Sequence, residues 1–419
     1  MHERRIKILQ ESKRQETPDV IENESRKTDS QRLRLEDRRI SVALMSSFVV
    51  LAAQYLVLVA TGLMGTALGH NVQFVSKVLV GAAFTYALPI VLRRSATRLI
   101  VTYVIGIAVF LIHYVVFPEN NTYQRQLIFG MFFLCLPSFI YSSAIDDWET
   151  LRDVMNEASF IVLSLGTLLA IMVLSGHASV GAYSMPLSYY LVLPAVVFID
   201  AFLDRLSSRY LVFSLLSVFL IMAIGARGPM MCILTFVTLR LVRPHKKLGH
   251  AHVFAYLVVL SLTMIVGLSL DNVLTSINLF LSRFDISSRS IVLFLRPGLY
   301  LSGRDVLYNT VAAEIANNPF KGIGIGGDRR VLGGSYVHNI VIEIMANYGI
   351  VFGTLFISML LVLMIRYFMA PKKHQYGMFV IWLSVGMIPL AVSGSYLESM
   401  SYWIFLGLIS KDIDSSSRR

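Results

Sequence analysis

The polar side chains with chemical capacity in this chain gather in two short stretches: GARGPMM at 225–231, and a longer run from Ser302 to Gly349 that contains SGRDVLYNTVAAEIANNPFKGIGIGGDRR and YVHNIVIEIMANYG. Between them they hold Arg227, Arg304, Asp328, Arg329, His338, Asn339 and Glu343. Arginine stays charged and its forked donors fit phosphate or carboxylate oxygens in pairs, so the first chemistry to expect is anion binding. A helix start signal at Ser302 or Asp305 places Arg304 in a first turn, where backbone amides already attract an anion. Pairing with Asp305 or snorkelling is the alternative use of the same residue. Arg227 lies between Gly225 and Gly228, with Pro229 suited to the first turn of the next helix, and this makes a tight hairpin. Such a hairpin holds an arginine at a membrane boundary, against lipid phosphate or something larger.

The run after His338 raises a different question. Asn339, Glu343 and Asn347 are four apart and share one helix face, while Gly349 and Gly353 form a small-residue packing edge. A carboxylate inside an apolar span costs roughly 2.5–3.5 kcal/mol on insertion scales, so Glu343 needs a partner or a wet cavity, and an orienting partner or an arginine pair is expected before a second base. His338 lies about 140° around the helix from Glu343 at ~100° per residue, which argues against a metal site shared by the two. GIGIGGD has the look of a nucleotide loop, but its spacing is wrong and it follows a helix instead of opening one. Its glycines allow a sharp turn and close approach to a ligand or to the membrane surface.

Those residues need elements to position them, and composition says which kind. The chain of 419 residues is 55% hydrophobic and 15% charged, with a mean hydropathy of +0.65, a balance that places it in a membrane. Apolar windows fall near 41–62, 72–92, 99–117, 126–145, 158–175, 187–203, 210–225, 229–242, 251–270, 336–366, 376–394 and 397–410. Each approaches the roughly 20 residues needed to cross a hydrocarbon core, so about 12 transmembrane helices are expected in an all-α polytopic membrane protein. Residues 1–40 read as a polar, disordered cytoplasmic tail that touches anionic lipid; residues 41–270 carry the first nine helices, 271–335 form one large loop, and 336–419 the last helices and a short tail. Cys135 and Cys232 both fall inside spans and read as packing residues.

Basic residues in short loops stay cytoplasmic. With the N-terminal tail inside, the loops carrying Arg93, Arg94 and Arg98, Arg205 and Arg209, Arg240 to Lys247, and Arg366 to Lys373 are inside as well. The short loops near Gly69, Gly181 and Ser395 lack lysine and arginine. DDWETLRD at 146–153 is an acidic exception on the inner side. Both termini are therefore expected in the cytoplasm and the 271–335 loop outside, together with Arg227. That loop holds Arg283, Arg289, Arg296, Arg304, Lys321, Arg329 and Arg330 in a chain of net charge +11, which suits an anionic partner or simple solvation. Its sequence predicts one short amphipathic helix running to about Ile315 and stopping at Asn317-Asn318-Pro319.

With these features in place, the stretch from Ser302 to Gly349 resembles the C-terminal signature of the O-antigen ligase and polymerase superfamily, and GARGPM resembles that family's arginine turn. The matching motifs cover roughly 225–355, and GIGIGGDRR and HNIVIEI look most like Wzy-type repeat-unit polymerases. Ala226 stands where family members often have serine, and Gly353 sits one position later than in the commonest ligase pattern. The resemblance implies a GT-C-like membrane glycosyltransferase that joins undecaprenyl-diphosphate-linked oligosaccharides at the outer face of the bacterial cytoplasmic membrane, in capsule, exopolysaccharide or O-antigen synthesis. It implies His338 as the base, Arg304 and Arg227 as catalytic cations on the diphosphate, and Arg329, Asp328, Asn339, Glu343, Tyr336 and Arg289 as substrate-binding residues. A metal-independent reaction without cofactor is implied too, with the lipid-linked oligosaccharide and membrane lipid as partners, a flippase and a chain-length regulator as protein partners, and no nucleic acid. The alternatives are an O-antigen ligase acting on a lipid A core and, from another class, a lipid-oligosaccharide flippase or transporter. Transporters commonly show repeated halves and midplane binding residues, and no repeat is visible here.

Overall fold

A computed structural model describes residues 18–174, 185–224, 227–243, 249, 252–259, 261, 270–283, 304–369 and 373–417. Among the described residues every regular element is helical. Six helical segments are long and apolar enough to cross a membrane: Gln31–Ala60, Ala67–Val116, Pro118–Ala144, Trp148–Met172, Ile340–Phe368 and Gln375–Val392. The chain is thus an all-helical, polytopic membrane protein.

The first helix, α1 (Pro18–Ala60), starts well before the span expected from Ser41. Residues 31–40 are not a free tail. Arg93 and Arg94 bind Glu36, and Arg94 also binds Asp37, whose carboxylate further accepts the backbone N–H groups of Asp146 and Asp147 at 3.1 and 2.9 Å. The mixed charges of 32–39 look solvated in isolation because their partners lie far along the chain.

The second helix, α2 (Ala67–Val116), has 50 residues, a length of about 75 Å if straight against a core of about 30 Å. Ser95, with φ −146° and ψ 34°, breaks it. Arg94 sits beside the start of α1, while His113 and Phe117 at the far end meet Tyr348 and Gly324, so the chain reverses at the break and forms two spans. Next come α3 (Leu136–Ala144), α4 (Trp148–Leu174), α5 (Val192–Arg205), α6 (Arg227–Val242), α7 (Arg304–Asn317) and α8 (Ile340–Phe368). The last are α9 (Lys373–Trp382), α10 (Ile388–Val392) and α11 (Met400–Ser417). Helix α7 ends at Asn317, just before the Asn318-Pro319 stop. Pro137 and Pro389 each follow a widened π-helical turn, at Met131–Cys135 and Leu383–Met387. Proline cannot donate to the carbonyl four residues back and crowds it, and one wider turn absorbs both effects.

One end of the bundle is tied by ion pairs. Arg38 holds Glu157 at 2.9 Å, Arg240 holds Asp200 and Asp204 at 2.8 and 2.7 Å, Arg152 binds the same two aspartates, and Lys411 binds Asp146. The opposite end carries the 319–339 loop and the segment 393–399.

That second segment has an unusual depth. From Lys411, at the ion-paired end, back to Met400 is about 17 Å of helix, roughly half the hydrocarbon core. Cys135, nine residues above Ala144 on α3 and the turn before it, meets the Leu397 carbonyl at 3.6 Å and gives the same level. Non-helical backbone at membrane depth is tolerated only where protein buries it or water reaches it. Residues 393–399 are such backbone.

The two ends should label from opposite sides of the membrane. Cys135 and Cys232 are buried, so cysteines introduced at the exposed positions Ser335 and Asp153 report alone. A membrane-impermeant maleimide applied to sealed cells should modify one of the two; modification of both before permeabilisation would break the topology.

Candidate functional site

Construction of the site begins with the loop after α7. Ile323 and Gly324 donate their N–H groups to the Ala346 carbonyl at 2.7 and 3.2 Å, and Ile350 donates to Pro319 O at 2.7 Å. For those bonds to form, α8 must open. It does so at Gly349, with φ 77° and ψ 175°, where an added Cβ would lie 2.2 Å from Phe320 O. Gly324, at φ 78°, lies flat against the Phe117 ring, 2.5 Å from where a Cβ would stand. The loop is clamped from the other side as well. His113 Nδ1 accepts the Ile325 N–H at 3.0 Å, Asn120 donates to Ile323 O at 2.7 Å, and Arg330 donates to Asn120 at 2.9 Å. The glycines therefore bring the backbone close to neighbouring helices.

This clamp delivers Asp328 and Arg329 into the bundle. Arg329 is 4% exposed. Its Nη1 faces Asp328 at 3.2 Å and Glu343 at 3.5 Å, and its Nη2 donates to Ser395 Oγ and Glu398 Oε2, both at 3.0 Å. Glu343, fully buried, also accepts from the Ser395 hydroxyl and from the Tyr396 N–H at 3.1 Å. The partner expected for Glu343 is thus an arginine, and both residues anchor the irregular 393–399 segment. Burial alone would lower the Arg329 pKa; the carboxylates of Asp328, Glu343 and Glu398 outweigh it and hold the guanidinium above its ordinary value. Asn347 donates to the Tyr396 hydroxyl at 2.8 Å, one turn further along α8.

Asp328 has a second task. Its Oδ2 accepts the Val337 N–H at 3.2 Å, which fixes the turn carrying Tyr336 and His338. Tyr336 donates its hydroxyl to the Ser393 carbonyl at 3.0 Å, and its ring lies 4.1 Å from the His338 ring. Asn339 caps α8, accepting from Val341 and Ile342 at 3.0 and 3.2 Å. His338 adopts φ +57°, a left-handed conformation few non-glycine residues hold without support. Its Nδ1 lies 3.2 Å from the Ser393 carbonyl. A carbonyl only accepts, so Nδ1 carries the proton in the neutral ring and Nε2 keeps a lone pair. Burial lowers the His338 pKa, the Ser393 contact works the other way, and Arg304 lowers it further. The net direction is below the ordinary imidazole value, which leaves the ring neutral near pH 7.

Arg304 opens α7 and acts electrostatically on His338 and on the Tyr189 hydroxyl. No ion pair involves it among the described residues. Arg227 opens α6, and its neighbour Gly228 lies so close to Tyr189 that a Cβ would meet the hydroxyl. Tyr189 in turn accepts from Ser393 Oγ at 2.7 Å. The arginine turn therefore arrives at the same cluster as His338, although the Arg227 side chain and all of Arg289 lie outside the described residues. Beside Ser393 a cavity of about 240 Å³ opens, bordered by Glu398, Ser399 and Ser401.

Sequence reasoning missed Tyr189, Ser393, Ser395 and Glu398. The one signal was GSYLES at 394–399, a polar interruption read as a turn between two apolar runs. No protein-family model and no curated protein matches the chain.

Arg329 and Arg304 should behave differently when removed. Arg329→Ala strands Glu343 and Asp328 in the interior at a cost of about 3–5 kcal/mol, seen as a large fall in melting temperature of the purified protein. Arg304→Ala, at a half-buried site without an ion pair, should stay within about 0.5 kcal/mol of wild type. Equal stability of the two variants would deny Arg329 its structural role.

Proposed function

We propose that the protein is a membrane glycosyltransferase of the repeat-unit polymerase kind. It moves a growing glycan from a polyprenyl diphosphate to a hydroxyl of a second lipid-linked repeat unit. The observation that carries this reading is the pairing of a neutral histidine, with no hydrogen bond to its Nε2 among the described residues, with Arg304, which acts on it electrostatically and forms no ion pair among those residues.

Each part has a chemical task. Nε2 of His338 takes the proton of the acceptor hydroxyl as its oxygen attacks the anomeric carbon, and the bond from that carbon to the diphosphate oxygen breaks. A diphosphate leaves as a stable anion and needs cations more than a general acid. Arg304 supplies one, and Arg227, at the N-terminus of α6, a second. Their electrostatics also couple. Arg304 depresses the basicity of His338 in the empty site, and a bound diphosphate offsets that charge, so the base strengthens as the donor arrives.

This reading carries the finer architecture with it: about 12 spans in a GT-C-like arrangement, both termini cytoplasmic, and the 319–339 loop on the outer face of a bacterial cytoplasmic membrane. The concentration of arginine and lysine at the opposite end supports that orientation. A flippase delivering lipid-linked units and a chain-length regulator are the protein partners we propose.

His338→Ala, Arg304→Ala and Arg227→Ala should each yield normally inserted protein and single repeat units in place of long polymer. Loss of the base should lower turnover by about 10²–10⁴-fold; polymer of normal length from His338→Ala overturns the mechanism. In wild type the acid limb of the pH–rate profile should lie below the ordinary imidazole value of about 6.5, because the neutral ring is the active form. Arg304→Gln removes one cause of the depression and should move that limb upward in residual activity; a downward shift would contradict the assigned coupling.

A further inference from the structure

We infer that the cavity beside Glu398 is a sugar-binding subsite that takes one polyhydroxylated ring of the acceptor glycan, an inference resting on the glycosyltransferase reading above. Glu398 is the starting point. Its side chain is 48% exposed, yet it sits at mid-membrane depth, where a carboxylate demands a partner or a wet cavity. One oxygen receives Arg329 at 3.0 Å, which fixes its direction.

The lining suits hydroxyl groups. Ser393, Ser399, Ser401 and Tyr189 border the cavity with Glu398, and no hydrogen-bond partner of the Ser401 side chain occurs among the described residues. A carboxylate accepts only, so it pairs best with adjacent hydroxyl donors; serine hydroxyls can both donate and accept. Most of the remaining lining is apolar, from Phe48, Leu51, Val192, Val385, Pro389 and Met400, and it meets the C–H face of a ring while the polar groups meet its hydroxyls. The volume of about 240 Å³ falls below the ~300–1,000 Å³ usual for drug-sized ligands and fits a single ring.

Charge decides against the two obvious rivals. Asp328, Glu343 and Glu398 gather on this side, which repels a diphosphate and leaves it to Arg304. A metal cation would compete with Arg329, already seated on all three carboxylates. A neutral polyol meets neither obstacle.

The test uses full-length protein in nanodiscs and, as probe, the host's single repeat-unit glycan freed of its lipid by mild acid, with binding followed by calorimetry. Wild type should bind saturably, and Glu398→Gln should weaken binding at least tenfold. Because that variant also disturbs Arg329, Ser401→Phe is measured beside it; it fills the cavity while leaving every residue bonded to Arg329 in place and should weaken binding equally. Wild-type affinity in both variants, or no binding by wild type that still makes polymer, overturns the subsite. Saturable binding by a wild-type protein that makes no polymer upholds the subsite and removes the polymerase reading instead.

Discussion

A single guanidinium inside a membrane bundle holds one end of this protein in register. Arg329 comes from the loop after α7, Glu343 from α8, and Ser395 and Glu398 from irregular backbone at membrane depth. None of these groups could stay where it is without the others. An unpaired carboxylate in that position is costly, and bare peptide groups of residues 393–399 would be costlier still. The cluster is thus a condition for having any non-helical backbone there, and that backbone is what carries the Ser393 carbonyl to Tyr336 and His338. Stability and chemistry share the same few atoms.

The consequence for reactivity is a separation of charge across a short distance. Arg304, Asp328 and Arg329 all act electrostatically on His338, which is held in a left-handed backbone conformation. A left-handed non-glycine residue is retained only where its surroundings over-determine it. Here Asp328 binds the Val337 amide on one flank, and Asn339 caps α8 on the other. The histidine is pinned by its neighbours in the chain while its ring bonds across to Ser393, so its Nε2 is aimed without being used.

How far this was legible in the sequence depended on the range of the interaction involved. Local signals read well: α7 stops at Asn318-Pro319, the GARGPM turn opens a helix, and the polar start of α8 lies where the loop meets the bundle. Glu343 was recognisable as needing a partner, because an apolar run makes an isolated carboxylate conspicuous. Which partner it has was not, since Arg329 and Glu398 lie 69 residues apart and nothing local joins them. Residues 32–39 show the same limit: their acids and arginines looked solvated until Arg94 and the 146–147 amides were in place. The descent of 393–399 into the membrane escaped because its apolar flanks mimic an ordinary turn between spans. The short reach of α11 from Lys411 and the contact of Cys135 with the Leu397 carbonyl expose it.

The two ends of the bundle answer the problem of buried charge in opposite ways, and the contrast says where function lies. At the ion-paired end Arg152 and Arg240 share Asp200 and Asp204, two charges of each sign in mutual contact. Such a set, balanced in sign, ties α4, α5 and α6 together. At the other end three carboxylates share one guanidinium, while Arg304 stands nearby without an ion pair among the described residues. That imbalance is unfavourable for the empty protein. It is retained by a fold able to hold it, and it becomes favourable once an anion sits on the arginine side and hydroxyl donors sit on the carboxylate side. On the proposed mechanism, binding of both substrates would complete the electrostatics that the polypeptide leaves open around His338.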